Sequence, residues 1–413
     1  MTAVGSPEAR AADRRRVAVS FAYFALLLAA YYLIRPVRDS LVAGLGSESI
    51  KYLSTAVFAL SAAVATVYGA LIARIPRRWS VPGLYLVFAL KLAGFAVLFA
   101  VLPGSRWVAG GFYLWVAVFN LVMVSTFWSF MADLWGREDG QRVFARIAAG
   151  GSLGGVMGPW LARQWATDLG PTGLTVVAAV LLGVGALLSV YLMRGTDRDG
   201  HLRFDEPVGG RALAGLRMVW ANPYLRRIAL LLAGGSLLGM WVYIEVAQVA
   251  AHLFANSAER TAYFAERDLW VNAGSLAIQF LVTPWLTRRV GVGGVLVISA
   301  LTVAAAFAGL ALWPVAGMLL GVNVLTRTLE FGFSKPSRDV LYTTVDAETQ
   351  YKAKNVLDTV YARGCDSTFG WLHAVLIGGG AGLVSIGGIG VGLALGLAFV
   401  GRQLGRDYLD RRR

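Results

Sequence analysis

Long apolar runs alternate with short polar connections along the whole chain. A transmembrane helix needs about 20 mostly apolar residues. By this measure the pattern predicts an all-α membrane protein with twelve transmembrane helices. The predicted segments are 17–38, 51–74, 81–102, 107–133, 143–166, 171–193, 224–254, 268–288, 291–312, 314–335, 352–378 and 383–403.

The longest polar connection divides these segments into two sets of six. We therefore predict a six-helix bundle over 17–193 and a second over 223–404, joined by a linker over 194–222. The tails are 1–16 and 405–413. Within the linker, the amphipathic stretch from Arg211 to Trp220 is typical of a helix that lies on the membrane surface.

Composition supports a membrane location, since 57% of the residues are hydrophobic, 15% are charged and the mean hydropathy is +0.61. The net charge of +14 would suggest a nucleic-acid partner in a soluble protein, but here the Lys and Arg residues collect in alternate connections between apolar runs. Cations mark the cytoplasmic side of membrane proteins. We expect no nucleic-acid partner, and an integral multi-pass protein of a bacterial inner membrane with both termini in the cytoplasm.

Several kinds of chemistry have no support in the sequence. One cysteine and three scattered histidines offer no metal-ligand spacing, and none of the five lysines follows a glycine as in a phosphate-binding loop. No nucleophile and base are paired in a recognisable motif. We expect neither an enzyme nor a bound cofactor.

A charged phrase occurs twice, each time at the end of an apolar run. The first copy is Arg35-Pro36-x-Arg38-Asp39-x-Leu41, and the second is Lys335-Pro336-x-Arg338-Asp339-x-Leu341. Proline loosens a helix, and the spacing i, i+4 predicts the pairs Arg35–Asp39 and Lys335–Asp339. Arg38 and Arg338 would then be the cations most available to a ligand, at opposite faces of the membrane. The alternative is that all of them anchor helix ends.

Other polar residues inside apolar segments are also candidates for ligand contact or gating. Arg327 and Glu330 have the spacing of an ion pair, and so do Lys354 and Asp358. Glu245 has no cation nearby in the sequence, so it could pair across the bundles, bind substrate or carry a proton. For Asn120 the alternative is a hydrogen bond between helices. For Arg363 it is a solvated helix end, which explains Lys352 well but Arg363 poorly.

Two bundles joined by a cytoplasmic linker resemble the major facilitator superfamily, whose halves enclose a substrate site. The stretch "GALIARIPRR" (69–78) is similar to that superfamily's loop motif at Gly69, Leu71, Arg74, Arg77 and Arg78. It has Ala73 and Pro76 where the motif has an acid and a glycine.

The segment "GGSLGGVMGPW" partly resembles the G-x-x-x-G-P motif of antiporters at Gly154, Gly158 and Pro159. Small residues at this spacing also let helices approach closely, so the stretch has a packing interpretation as well.

A more specific resemblance is to the ATP/ADP translocases. "YYLIRPVRDSLV" is similar to their first-helix signature, with Arg35 and Asp39 matching and Arg38 in place of lysine. "FSKPSRDVLYTTVDAETQYKAKNVLDTVYARG" is similar to their second signature. There Arg338 and Asp339 replace a lysine and a glutamate, and three positions match: Lys354, Asp358 and Arg363.

This resemblance implies counter-exchange of nucleotides by alternating access, with basic residues binding phosphates. A proton-coupled carrier of another organic anion, in which Glu245 or Asp358 titrates, remains open. So does a sensor or lipid-handling protein that transports no solute. The partners we expect are an anionic small molecule, membrane lipid and, as a coupling ion, protons.

Overall fold

The computed structural model describes residues 7–72, 77–194 and 212–412, and no residue of these ranges lies in a β-strand. The first helices are α1 (Pro7–Gly44), α2 (Ser47–Ile72), α3 (Arg77–Val101) and α4 (Arg106–Arg194). They are followed by α5 (Ala212–Ala221), α6 (Pro223–Leu253), α7 (Ser257–Ala277), α8 (Thr283–Leu312), α9 (Ala316–Leu329), α10 (Lys335–Leu341), α11 (Ala347–Val356), α12 (Ala362–Gly378) and α13 (Leu383–Arg412).

Three short π-helical segments link neighbouring helices in the second half of the chain. They are Ile278–Val282, Glu330–Ser334 and Leu357–Tyr361. A single 3₁₀ turn, Tyr342–Thr344, follows α10. After it, Asp346 caps α11 by accepting from the backbone N–H of Thr349, and this hydrogen bond lowers the pKa of the exposed Asp346 carboxyl.

Two of the helices contain breaks where the backbone turns. At 89 residues, α4 would be about 130 Å long if straight, against about 30 Å for the apolar core of a bilayer. Gly170 has a φ of +61° and lies between the predicted segments 143–166 and 171–193. Gly291, with a φ of +71° and a ψ of 173°, similarly interrupts α8. Glycine adopts this left-handed region without the steric penalty of other residues.

Seven stretches within the described residues are long and apolar enough to cross a membrane. Two of them, Arg142–Arg194 and Ser257–Leu312, have 53 and 56 residues, more than one crossing requires. The other predicted segments lie on α2, on α9–α10 and on α11–α12. The all-α membrane fold is therefore confirmed. Twelve crossings remain a prediction, and the lengths of these stretches are compatible with that number.

The chain forms two compact units. Unit 1 comprises Met1–Leu41, Ala63–Val208 and Phe254–Leu269. Its apolar core is rich in aromatic rings, with Phe24 stacked on Phe127 at 4.1 Å between centroids and Trp115 stacked on Phe119 at 5.0 Å. Such pairs add to the gain from burying apolar area.

Within unit 1, α1 crosses α4 at a row of glycines. A Cβ built on Gly154 would lie 2.1 Å from the carbonyl oxygen of Ala25, and one on Gly158 would lie 2.6 Å from that of Ala29. Gly150 faces Phe21 in the same way. The backbones therefore touch, which supports the packing interpretation of the Gly154-x-x-x-Gly158 stretch.

Unit 2 comprises Val42–Ala62, Gly209–Leu253 and Trp270–Arg413. The first part of α2 lies here, where Thr55 hydrogen-bonds Ser367 and Trp371 of α12 at 2.8 and 3.1 Å. Close contact between α8 and α13 depends on Gly293 and Gly405, since a Cβ on either would lie 2.5 Å from the Cα of the other.

Some sequence expectations fall outside the described part of the chain. The side chains of the 69–78 stretch are not among the described residues, and neither is the linker over 195–211. The end of the linker is described, and the amphipathic stretch before Trp220 forms α5.

The glycine row predicts a strong effect of a single methyl group. Replacing Gly154 with Ala places a Cβ against backbone rather than against a side chain that can move aside, so α1 and α4 must separate. We expect a loss of about 1–3 kcal/mol of stability and a lower Tm for the purified protein in detergent.

Gly183, on the same helix, is the matched control because nothing lies within 4 Å of its Cβ position. Gly183→Ala should leave Tm unchanged or raise it, since alanine is favoured over glycine in helices by up to about 1 kcal/mol. An unchanged Tm for Gly154→Ala would contradict the packing described here.

Candidate functional site

The first charged phrase belongs to a buried ion-pair network that joins α1 to α7 within unit 1. We call Arg35, Arg38, Asp39, Arg267 and Asp268 the α1–α7 network. Asp39 is fully buried and accepts from Arg38 and Arg267, each at 2.6 Å. Arg267 also donates to Asp268 at 2.8 Å, and the Arg35 side chain lies 3.5 Å from the other Asp268 oxygen.

This arrangement corrects the predicted pairing of Arg35 with Asp39. Arg35 pairs instead with Asp268, a residue from a distant part of the chain. The reason is that Arg267, only 3% exposed, reaches Asp39 from α7 and brings the neighbouring Asp268 beside Arg35. Arg38, which we expected to be available to a ligand, donates two hydrogen bonds to Asp39.

Aromatic rings accompany the three arginines of this network. The guanidinium of Arg267 lies 4.9 Å from the ring centre of Phe264, and that of Arg38 lies 5.2 Å from the ring centre of Tyr113. Arg35 lies over Tyr32 of its own helix at 5.7 Å. Such contacts favour a cation that has lost part of its hydration. Three arginines and two aspartates leave a surplus of one positive charge.

The second charged phrase lies in unit 2 and also pairs outside itself. We call Glu330, Lys335, Arg338, Asp339 and Lys354 the α10 network. Arg338, 5% exposed, donates to Glu330 at 2.7 Å, and Lys354 pairs with Asp339 at 2.8 Å. The predicted pair Lys335–Asp339 is therefore wrong, because Lys354 of α11 takes the aspartate. Lys335 is exposed and has no ion pair within the part of the chain that the structure describes.

Proline acts differently in the two phrases. Pro36 lies inside α1, which continues to Gly44. Pro336 stands in the first turn of α10, directly after the π segment, and has no N–H to offer the carbonyl of Gly332 four residues before it. That carbonyl accepts instead from the Thr283 hydroxyl at 2.8 Å. The expected loosening of the helix is therefore found at the second phrase. There the Gly332 carbonyl accepts its hydrogen bond from Thr283 of a neighbouring helix.

A cleft inside unit 2 adjoins the α10 network. The space between its atoms, including the part open to solvent, is about 580 Å³, and its polar lining includes Arg327, Glu330, Thr326, Ser299 and Ser334. The rest of the lining is apolar and comes mainly from α6, α8 and α13. The lining residues from these helices include Leu231, Leu238, Leu296, Val303 and Leu397.

Two glycines of α6 make room for the charged side chains of this cleft. A Cβ on Gly239 would lie 3.2 Å from the Arg327 guanidinium carbon, and one on Gly235 would lie 3.5 Å from a Glu330 oxygen. Arg327 donates to the Gly239 carbonyl at 3.4 Å. The sequence predicts an ion pair between Arg327 and Glu330. In the structure, Glu330 pairs with Arg338 instead, at 2.7 Å.

The remaining candidates are dispersed. Asn120 is half-buried on α4 in unit 1, and Asp358 is exposed on the π segment before α12. Arg363 lies 3.8 Å from Asp366, one turn along α12. Glu245 is buried and hydrogen-bonds His373.

Sequence reasoning missed three residues that the structure makes prominent, namely Arg267, Asp268 and His373. The run Glu266-Arg267-Asp268 at the start of an apolar segment was a visible signal, but its partner on α1 was not. His373 had no signal beyond being a polar residue in an apolar run. Among the described residues, no group of three or more His, Cys, Asp or Glu side chains is placed to hold a metal ion.

Comparisons with known proteins agree with this architecture. The family model of the Major Facilitator Superfamily matches residues 17–334. No curated protein sequence matches the chain.

Among solved structures, the POT family transporter PepTSo is similar with a TM-score of 0.63 at 13% identity, over 96% of this chain and 98% of that one. The human organic anion transporter MFSD10 (TETRAN) has a TM-score of 0.57 at 17% identity, over 96% and 100%. The nucleoside transporter NupG has a TM-score of 0.56 at 16% identity, over 96% and 98%.

Identities this low establish a shared fold and say nothing of the substrate. The family match covers more than half of the chain, and its range includes the α1–α7 network and, of the α10 network, only Glu330. The all-helical architecture and the apolar stretches that can cross a membrane agree with it. The chain is a membrane transporter rather than an enzyme, and it belongs to the Major Facilitator Superfamily.

Proposed function

We propose that this chain is a secondary transporter that moves a nucleotide or a related phosphorylated organic anion by alternating access, as a counter-exchanger. The observation that carries the proposal is the cation surplus of the two phrases. Both phrases draw on carboxylates from elsewhere in the chain. Lys335 is exposed and has no ion pair among the described residues, and Arg327 lines the cleft beside the second phrase. A polyanion in a low-dielectric pathway requires several such cations.

The cleft of unit 2 supports a phosphorylated ligand in particular. Arg327 presents a planar guanidinium against Gly239, and guanidinium groups bind phosphate through paired hydrogen bonds. The Ser299 and Ser334 hydroxyls, 3.3 Å apart, add further hydrogen-bonding groups to the lining of the cleft. The apolar wall would accommodate the less polar part of an organic anion.

The α1–α7 network supports gating by ion pairs. It joins helices from both predicted bundles inside one compact unit, through Asp39 on α1 and Arg267 on α7. Alternating access requires contacts that form in one state and break in another. Charged pairs suit such a change of contacts, because an incoming anion can replace a carboxylate as the partner of a guanidinium.

We also propose that both termini are cytoplasmic, as the cation distribution favours.

A thermal-shift series should identify the ligand class. Nucleotides and sugar phosphates should raise the Tm of the purified protein, since a ligand at a hundred times its Kd stabilises the native state by about 2.7 kcal/mol. Arg327→Gln should abolish the shift, and Arg289→Gln should preserve it. Arg289 is exposed over Trp285 and does not line the cleft. Equal shifts from unphosphorylated nucleosides would contradict a phosphate site.

Exchange should be measured in proteoliposomes loaded with unlabelled anion. Uptake of labelled anion should depend on the internal anion, and Arg38→Gln and Arg338→Gln should each lower it about ten-fold or more, the effect of losing about 1.4 kcal/mol. Arg163→Gln is the matched control, because its ion pair with Glu266 is exposed and worth little.

Size-exclusion profiles must show that each variant remains folded. Wild-type rates in both Arg38→Gln and Arg338→Gln would refute the proposed role of the phrases. Uptake driven by a pH gradient into empty vesicles would instead select a proton-coupled carrier.

A further inference from the structure

One end of unit 2 carries exposed arginines that belong to neither charged network. Arg288 lies near the end of the first part of α8, and Arg402 and Arg406 lie one turn apart near the end of α13. All three side chains are exposed, and none of them has an ion pair among the described residues. They do not line the anion cleft, so the transport pathway proposed above does not account for them.

We propose that this end of unit 2 binds the headgroup of an anionic phospholipid of the surrounding bilayer, and that a lipid with two phosphate groups fits it best. We call Arg288, Arg402 and Arg406 the α8–α13 cluster. The proposal does not depend on which solute the chain transports.

Contact between the two helices brings the three arginines to one place. A Cβ on Gly293 would lie 2.5 Å from the Cα of Gly405, so the two backbones touch there. Both arginines of α13 lie within one turn of Gly405. Arg288 lies five residues before Gly293, a distance of at most about 18 Å that the helical residues between them shorten. The three long side chains can therefore reach a common ligand.

Each helix leads to its arginines along an apolar surface that is exposed. On α13, Leu395 and Phe399 are exposed and share a helix face with the two arginines that follow them. On α8, Trp285 is exposed one turn before the arginine of that helix. Tryptophan and arginine at the end of an apolar segment are typical of the level where lipid headgroups lie. The apolar surface suits acyl chains, and the cluster suits phosphate.

The charge of the cluster favours an anionic headgroup over a zwitterionic one. On α13, Asp407 pairs with Arg227 of α6, and Asp410 is exposed. Even if Asp410 neutralises one arginine, three arginines and one aspartate leave a surplus of two positive charges. Arg289 adds a further cation, which lies over the Trp285 ring at 4.9 Å. Two phosphodiester groups match this surplus, because each of them carries a single negative charge.

The last two arginines of α13 that the structure describes are placed differently. Arg411 lies over the ring of Tyr224 at 4.6 Å, and Arg412 lies over that of Tyr408 at 5.7 Å. These contacts hold the end of α13 against α6 and within its own last turn. The α8–α13 cluster instead presents its guanidinium groups outward, and such groups bind phosphate through paired hydrogen bonds. Basic surfaces between transmembrane helices are where headgroups with several phosphates bind.

Native mass spectrometry of the purified full chain tests the site without any transported solute. Cardiolipin, which has two phosphates, should bind the wild type more tightly than phosphatidylglycerol, and phosphatidylethanolamine should bind least. The double variant Arg402→Gln with Arg406→Gln should lower the affinity for cardiolipin about ten-fold or more, because it removes two of the three phosphate ligands. The double variant Arg402→Lys with Arg406→Lys keeps the charge and should keep part of the affinity.

Two matched controls separate this site from other cations of the chain. Arg106→Gln removes an exposed arginine at the start of α4, in unit 1, and should leave the affinity for cardiolipin unchanged. Arg327→Gln alters the anion cleft and should also leave it unchanged. The lipid site and the proposed function can therefore fail independently of each other.

Soluble phosphates distinguish a lipid site from a site for a free anion. Pyrophosphate and glycerol 3-phosphate lack acyl chains, so neither should displace cardiolipin at equal phosphate concentration. Displacement by either compound would overturn the proposal in favour of a soluble ligand.

The proposal is also overturned if the wild type binds anionic and zwitterionic lipids equally, or if the Gln double variant keeps the wild-type affinity for cardiolipin. An equal loss of affinity in Arg106→Gln would overturn it as well, because general attraction to positive charge would then explain the binding. Size-exclusion profiles verify that each variant is folded. Should the Gln double variant not fold, Arg288→Gln alone provides the same comparison and should lower the affinity for cardiolipin.

Discussion

A charged side chain that leaves water must be neutralised inside the protein, and this constraint organises both charged phrases. Asp39 is fully buried because Arg38 and Arg267 neutralise it, and Asp268 serves Arg35 in turn. Removing one member would leave the others buried and uncompensated, which typically costs several kcal/mol. The networks therefore join helices that are far apart in sequence.

Small residues supply the second condition for these networks. Where α1 meets α4, Gly154 lets the backbones touch, and on α6 Gly235 and Gly239 leave space for charged side chains of the cleft. Each glycine gives up some helix propensity, and the close contact compensates for it. The absence of a side chain at glycine therefore allows close apolar packing in unit 1 and makes room for charged side chains in unit 2.

Membership of the Major Facilitator Superfamily explains why charge is retained in so apolar a chain. A transporter needs polar groups that bind its substrate, and it needs contacts that change as its pathway opens and closes. In the proposed function, the α1–α7 network gates the pathway and the cleft beside Glu330 binds the anion. Glu245 and His373 form a further buried polar contact, between α6 and α12.

The sequence by itself determined the helical class, the apolar segments and the two phrases, because hydrophobic length and charge position are local properties that one chain reveals. It also predicted that the helix would loosen at both prolines, which the structure shows at Pro336 but not at Pro36, where α1 continues. Only the tertiary structure decided which charges pair. Local spacing assigned Asp39 to Arg35 and Asp339 to Lys335, but Arg267 and Lys354 arrive from other helices. Long side chains reach whichever partner packing brings near, and sequence separation carries no information about that distance.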